Sequence, residues 1–395
     1  MEQKAGDAEK SGGPEEELGA LEERLRLLSI ARRTRPVEPS YLLDLALQQG
    51  GCLAVACSDF TVRLHDSETL QLRGEYHGHQ GALCGITPSH CSAELLYSGS
   101  ADGTVRAWDL RMPGSSPVKT LRSKESYSLC SLDLSCSDTL LCAGTEQVDQ
   151  EDSYLLFWDP RKDGLLLGAY SESHSDDITQ VRFHPTDKDR MASGSTDGLV
   201  NVFDLSQGAE DDALLATCNS DSSASSVCWC GPGLDQLLCL SHDEGLHLWD
   251  LSCLHNDQAI TRFSTPDARS LPLLPGEACL DYLVGGRWLV DAQKLLVVGG
   301  TNTGTVHLME CDNRGLHLLR SLEGGHTATV RCFLWDAARE TLVSGGEDGQ
   351  LLQWRPGGAE LTVGKQPSLK SQSTLKLKSR PHHQRGRTRN RKAPS

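Results

Sequence analysis

The chain has 395 residues, 38 % of them hydrophobic, with 54 acidic residues against 38 Lys and Arg and a formal net charge of −16. No run of 18 or more apolar residues occurs, so no membrane-spanning helix is expected. The polar opening Met1-Glu-Gln-Lys4 lacks the apolar stretch of a secretory signal, and an intracellular protein, nuclear or cytoplasmic, is expected.

Residues 1–24 form an acidic, Glu/Gly/Lys-rich tail expected to be disordered. Within residues 15–30, Leu18, Leu21, Leu25 and Leu28 fall at helical spacing. The same stretch also offers a strand from Leu25 to Ala31 that could complete the outer edge of a terminal sheet. Glu360-Leu-Thr-Val-Gly-Lys365 competes for that edge, and the N-terminal segment is preferred because the first repeat then starts cleanly at Tyr41-Leu-Leu-Asp-Leu-Ala-Leu47.

From there a cassette of two short strands around a tight turn recurs. Leu53–Ser58 leads through Asp59 into Val62–Asp66. Leu95–Ser98 leads through Asp102-Gly103 into Thr104–Trp108. Leu140–Thr145 leads, across an acidic insertion at 146–152, into Tyr154–Asp159. Ser193–Asp197 turns into Leu199–Asp204, Leu237–Ser241 into Leu248–Asp250, Leu295–Thr301 into Thr305–Leu308, and Ser344–Asp348 into Gln350–Trp354. Seven units of about 40–50 residues, each with two clear strands and two weaker ones, predict an all-β chain closed as a single seven-bladed β-propeller over residues 25–360. Residues 361–395 are left as a second disordered tail, and a monomer is expected.

Three cassettes share further landmarks. His79, His174 and His326 lie 23, 23 and 22 residues before Asp102, Asp197 and Asp348, and Ser98, Ser193 and Ser344 open the corresponding hairpins. The Gly78-His79 opening, the Asp-Gly turn and the closing Trp108-Asp109 resemble the WD-repeat family over residues 36–356. Stretches at 143–149, 168–185 and 299–302 narrow that resemblance to a smaller group within it. The resemblance implies a non-catalytic scaffold that presents its faces to proteins or peptides.

Ser98, His79 and Asp102 have the composition of a hydrolase triad. A catalytic triad is a single constellation beside one substrate pocket, whereas this set returns as Ser193/His174/Asp197 and as Ser344/His326/Asp348. The expected role is structural: carboxylate to imidazole, imidazole to hydroxyl, hydroxyl to the indole N–H of Trp108 or Trp354. Phe203 cannot donate, so the chain in its repeat is expected to stop at Ser193. There is no G-x-x-x-x-G-K-[ST], G-x-S-x-G or H-E-x-x-H motif, and no enzyme activity, cofactor or catalytic residue is assigned.

The fifteen cysteines include no C-x-x-C pair. Cys52, Cys57, Cys142, Cys228, Cys239 and Cys332 sit in or beside apolar strand runs, so reduced, core-forming thiols are expected, without a metal site.

Two features point to partners. Trp108-Asp109-Leu110-Arg111 and Trp158-Asp159-Pro160-Arg161 resemble the paired boxes of WD-repeat substrate receptors that dock on the propeller adaptor of a cullin-type ubiquitin ligase. That resemblance implies partner contacts through Arg111 and Arg161, although Tyr97, Ala107 and Pro160 depart from the commonest form. The other feature is the tail at 361–395, which holds ten Lys or Arg and no acid, so the total of −16 divides into +10 there and −26 over the rest. Such a division excludes a duplex-binding folded face. It leaves nuclear targeting, nucleolar ribosome-assembly scaffolding or weak RNA contact to the tail.

Overall fold

Strand-favouring runs separated by Asp/Gly turns become antiparallel sheets wherever one face of each strand can be buried. In the computed structural model, residues 21–359 are described, apart from 36–39, 115, 124, 150–151, 163, 256–257 and 276–278. Among the described residues, twenty-eight strands form seven four-stranded sheets. Six are simple meanders of consecutive strands.

The innermost strands of blades 1 to 7 are Leu42–Gln48, Leu83–Pro88, Leu129–Leu134, Gln180–Phe183, Ala224–Cys230, Tyr282–Leu289 and Val330–Asp336. Each packs against the innermost strand of the next blade, and Val330–Asp336 packs against Leu42–Gln48, which closes the ring. The hydrophobic core lies between blades. Seven clusters of buried side chains each draw on two neighbouring blades, as where Ala54, Leu64 and Tyr76 of blade 1 meet Leu96 and Trp108 of blade 2. Burying both faces of every blade in this way explains why the strand interiors are almost continuously apolar.

Blade 7 differs. Its outer strand is Leu28–Thr34, paired antiparallel with Leu351–Pro356 in register Leu28↔Pro356 to Thr34↔Leu351. The N-terminal segment therefore completes the last blade, and both local readings of it hold in part. Residues 21–26 are helical and the strand starts at Leu28 rather than Leu25. Leu25 and Leu28 both enter the core between blades 6 and 7. Leu18 and residues 360–365 lie outside the described residues.

Polar side chains add bonds across blade boundaries. Asp44 Oδ2 accepts the Ile86 N–H at 3.0 Å, and Asp133 Oδ2 accepts the Phe183 N–H at 2.7 Å. Burial pushes both carboxyls above the usual carboxylate range. Gln353 Nε2 donates to Ser67 O at 2.7 Å and ties blade 7 to blade 1.

Candidate functional site

The His/Ser/Asp sets begin with the turn. Gly103, Gly198 and Gly349 hold positive φ (75°, 84° and 67°), the left-handed conformation the hairpin requires. The aspartate before each glycine caps its own turn: Asp102 Oδ1 accepts the Thr104 N–H at 3.0 Å, Asp197 that of Leu199 at 2.8 Å, Asp348 that of Gln350 at 3.0 Å.

The opposite carboxylate oxygen reaches the histidine. In blade 2, His79 Nδ1 lies 3.0 Å from Asp102 Oδ2, His79 Nε2 lies 2.7 Å from Ser98 Oγ, and Trp108 Nε1 donates to Ser98 Oγ at 2.8 Å. Blade 7 is similar, with His326 Nδ1 3.1 Å from both Asp348 oxygens, His326–Ser344 at 2.8 Å and Trp354–Ser344 at 2.8 Å. Blade 4 has His174–Asp197 at 3.0 Å and His174–Ser193 at 2.7 Å, with Phe203 in place of the indole. There Asn201 Nδ2 approaches His174 Nε2 to 3.4 Å and donates to Ser173 O at 2.7 Å.

In blades 2 and 7 the indole can only donate, so Ser98 and Ser344 accept from it and donate their own hydrogens to Nε2. The imidazole proton then sits on Nδ1, facing the carboxylate. Burial holds the His79 pKa below the usual histidine value, so the ring is neutral at physiological pH. Burial raises the Asp102 and Asp348 carboxyls, but bonds from Thr104, Gln80 and His79, and from His326, Gln350 and Thr327, outweigh it and leave both depressed. The serines and histidines are buried against blade interiors.

The remaining blades depart from this chain in different ways. In blade 3, Leu141 faces Trp158 across the hairpin as Leu96 faces Trp108 in blade 2, which puts Ala143 where Ser98 stands. Trp158 Nε1 is consequently buried without a hydrogen-bond partner among the described residues. Blade 1 substitutes Arg63, which donates to Ser40 Oγ at 2.7 Å and Glu75 Oε1 at 3.1 Å and pairs with Asp59. Sequence reasoning missed that blade-1 network, because the histidine landmark it searched for is absent.

Arg111 and Arg161 sit in equivalent corners of blades 2 and 3, each just past the third strand (Thr104–Asp109 and Leu155–Trp158). Each folds back as a fork on the aspartate two residues earlier. Arg111 Nε and Nη2 donate to Asp109 at 2.9 and 2.6 Å, and Arg161 Nε and Nη2 donate to Asp159 at 2.9 Å each. Those bonds hold both aspartates down to about 2. The side chains remain 63 % and 60 % exposed. Arg111 Nη1 pairs with Glu94 at 2.8 Å, whereas Arg161 Nη1 has no partner among the described residues. Lys119 of blade 2 donates to Pro160 O at 2.6 Å and Lys162 O at 2.8 Å and joins the two corners. Exposed apolar side chains flank them: Met112 and Val118 on blade 2, Leu165 (74 % exposed) and Leu167 on blade 3.

The fifteen cysteines carry no disulfide; Cys57, Cys142, Cys239 and Cys332 are buried, and Cys52 and Cys228 half-buried. Among the described residues no cluster of three or more His, Cys, Asp or Glu could hold a metal ion, and no helix is long and apolar enough to cross a membrane.

A ring of seven four-stranded blades with buried His–Ser–Trp chains defines a WD-type propeller. The family model described as "WD domain, G-beta repeat" matches residues 70–109, 167–204 and 316–355. The chain is 30 % identical over 321 residues to WD repeat-containing protein GTS1 of Arabidopsis thaliana, covering 77 % of this chain and 78 % of that protein. It is 27 % identical over 314 residues to the WD repeat-containing protein 89 homolog of Dictyostelium discoideum, covering 80 % and 82 %. Pre-mRNA-processing factor 19 of Mus musculus is similar over a shorter span, 27 % over 165 residues, or 42 % of this chain and 31 % of that protein. The chain belongs to the WD-repeat family, and its general role is that of a protein-interaction scaffold.

Proposed function

We propose that this scaffold docks a protein partner through the paired corners at Arg111 and Arg161, and that the partner is the propeller adaptor of a cullin-type ubiquitin ligase, with this chain as substrate receptor. The observation that carries the reading is the joined pair of exposed Asp-x-Arg forks on adjacent blades with apolar side chains at their margin. The aspartates pre-order the guanidinium groups, so less side-chain entropy is lost on binding. Apolar area beside a planar cation is the composition of an interface centre. Affinity purification compares wild type with Arg111→Ala/Arg161→Ala. Loss of a central interface arginine commonly costs about 2 kcal/mol or more, some thirtyfold in affinity. The double variant should lose the adaptor at an unchanged melting temperature; an adaptor absent from the wild-type sample would refute the reading.

A second reading is favoured by the tail at 361–395 with ten Lys or Arg and no acid: a nucleolar ribosome-assembly scaffold, nuclear in location, with loose RNA contact through that tail. Deleting 361–395 separates the two, because adaptor docking should survive the deletion and nucleolar retention should not.

A further inference from the structure

Tyr76 and Tyr170 end the outer strands of blades 1 and 3 (Leu72–Tyr76 and Leu166–Tyr170), and a glycine stands two residues before each. Gly74 lies opposite Leu64 of the third strand and Gly168 opposite Phe157. Each tyrosine donates its hydroxyl to the corner of the next blade: Tyr76 to Asp109 O of blade 2, Tyr170 to Gly208 O of blade 4 at 3.0 Å. What covers the two glycines differs. A Cβ on Gly74 would overlap the ring of Pro113, so the corner of blade 2 presses a proline onto that strand. A Cβ on Gly168 would meet nothing within 4 Å. Pro113 lies five residues past Trp108, and the residue five past Phe203 is Gly208, whose φ of 84° no proline adopts. Between blades 2 and 3 the same strand position is Lys119, and its own side chain spans the gap to Pro160 O and Lys162 O. Blades 3 and 4 are thus left with an open cleft of about 330 Å³, walled by Leu140, Phe157 and Leu205 and bordered by the exposed Gly168 and Gly208. Beyond Gly208 the short helix Glu210–Ala213 begins with three acids. Glu210 accepts the Ser171 and Glu172 N–H groups at 2.7 and 2.9 Å, while Asp211 and Asp212 stand in solvent.

We propose that this cleft docks a proline-bearing segment of a partner protein, with a lysine or arginine beside the proline. The chain itself supplies the precedent: Arg111-Met112-Pro113 is the segment that covers Gly74, and the cleft is the equivalent seat without a ring in it. Proline suits the seat because its fixed φ leaves less entropy to lose on binding, and it has no N–H that would need a partner there. Leu140, Phe157 and Leu205 offer the ring an apolar surface, and a cleft of this size falls at the lower end of the range that holds ligands. Asp211 and Asp212 set the charge of the flanking residue, since a cationic neighbour of the proline is attracted and an anionic one repelled. No residue of the Arg111 or Arg161 forks lines the cleft, so the two docking surfaces are tested separately.

The test adds a synthetic peptide of residues 110–114, Leu-Arg-Met-Pro-Gly, capped at both ends, to the full chain with 13C-labelled Leu and Ala methyl groups. The methyl resonances of Leu140, Leu205 and Ala209, which line the cleft, should shift. The same peptide with alanine in place of proline should bind about tenfold more weakly. Gly168→Leu extends a side chain into open space, so it should leave the melting temperature unchanged and abolish binding. Asp211→Lys/Asp212→Lys should weaken binding about fivefold at low salt, and added salt should erase most of that difference. A peptide that shifts none of these methyl resonances overturns the proposal. So does an alanine peptide that binds as tightly, or a Gly168→Leu chain that binds as well as wild type.

Discussion

Replacing Ser98 by alanine removes one hydroxyl and orphans two buried groups. Trp108 Nε1 loses its acceptor at 2.8 Å and His79 Nε2 loses its partner at 2.7 Å. Leaving a buried polar group unpaired costs about 1–3 kcal/mol, so the change should cost roughly 2–4 kcal/mol. The same substitution at Ser193 is smaller in effect. Phe203 has no N–H to strand, and Asn201 Nδ2 already stands 3.4 Å from His174 Nε2, close enough to take over the bond. Ser193→Ala should therefore cost about 1 kcal/mol. Urea unfolding followed by tryptophan fluorescence and far-UV circular dichroism measures both, provided the two probes coincide and the m-value is unchanged. Equal losses for the two variants, or a neutral Ser98→Ala, would refute the view that the serine is the hub of the chain and that the indole makes up half its demand.

Ala143→Ser should supply the missing acceptor for Trp158 Nε1 and stabilise the protein by about 1 kcal/mol; a lower urea midpoint would count against it. Leu28→Ala, at a side chain 1 % exposed in the core between blades 6 and 7, should cost about 2–5 kcal/mol, while Leu27→Ala beside it should stay within about 0.5 kcal/mol. If both changes are silent, the N-terminal strand does not close the ring in solution. Acidification should lower the melting temperature between about pH 6.5 and 5. Burial depresses the pKa of His65, His79, His184, His247 and His307, so the unfolded chain binds more protons in that window and stability falls as pH drops. Asp44, Asp133 and Glu244, whose raised values act in the opposite sense, offset part of that loss. A melting temperature that holds or climbs on acidification would contradict this. The depressed Asp102, Asp197 and Asp348 add a further loss below about pH 4, as each is protonated.

What the sequence determined by itself is the part written in short-range pattern. A strand, an Asp-Gly turn and a second strand can be read within a dozen residues, because turn chemistry and side-chain alternation are local. Counting seven such hairpins gives the blade number. The recurring His, Ser, Asp and Trp positions were legible for the same reason: repetition at a fixed structural period separates a blade-building chain such as His79–Ser98–Trp108 from a single catalytic site. Other features depended on partners far away in the chain. Leu28–Thr34 finds Leu351–Pro356 only when the ring closes, across more than 300 residues, and its own residues favour a helix nearly as well as a strand. Arg63 replaces the histidine chain of blade 1 through Ser40 and Glu75, and Asp133 caps the backbone of Phe183 fifty residues on. The two arginine corners were visible as boxes, but Lys119, which joins them, and the apolar margin of Met112, Val118, Leu165 and Leu167 emerged only from the packed blades. Which of these side chains stay in solvent was decided by the packed blades, because burial is a property of the neighbours the fold brings together.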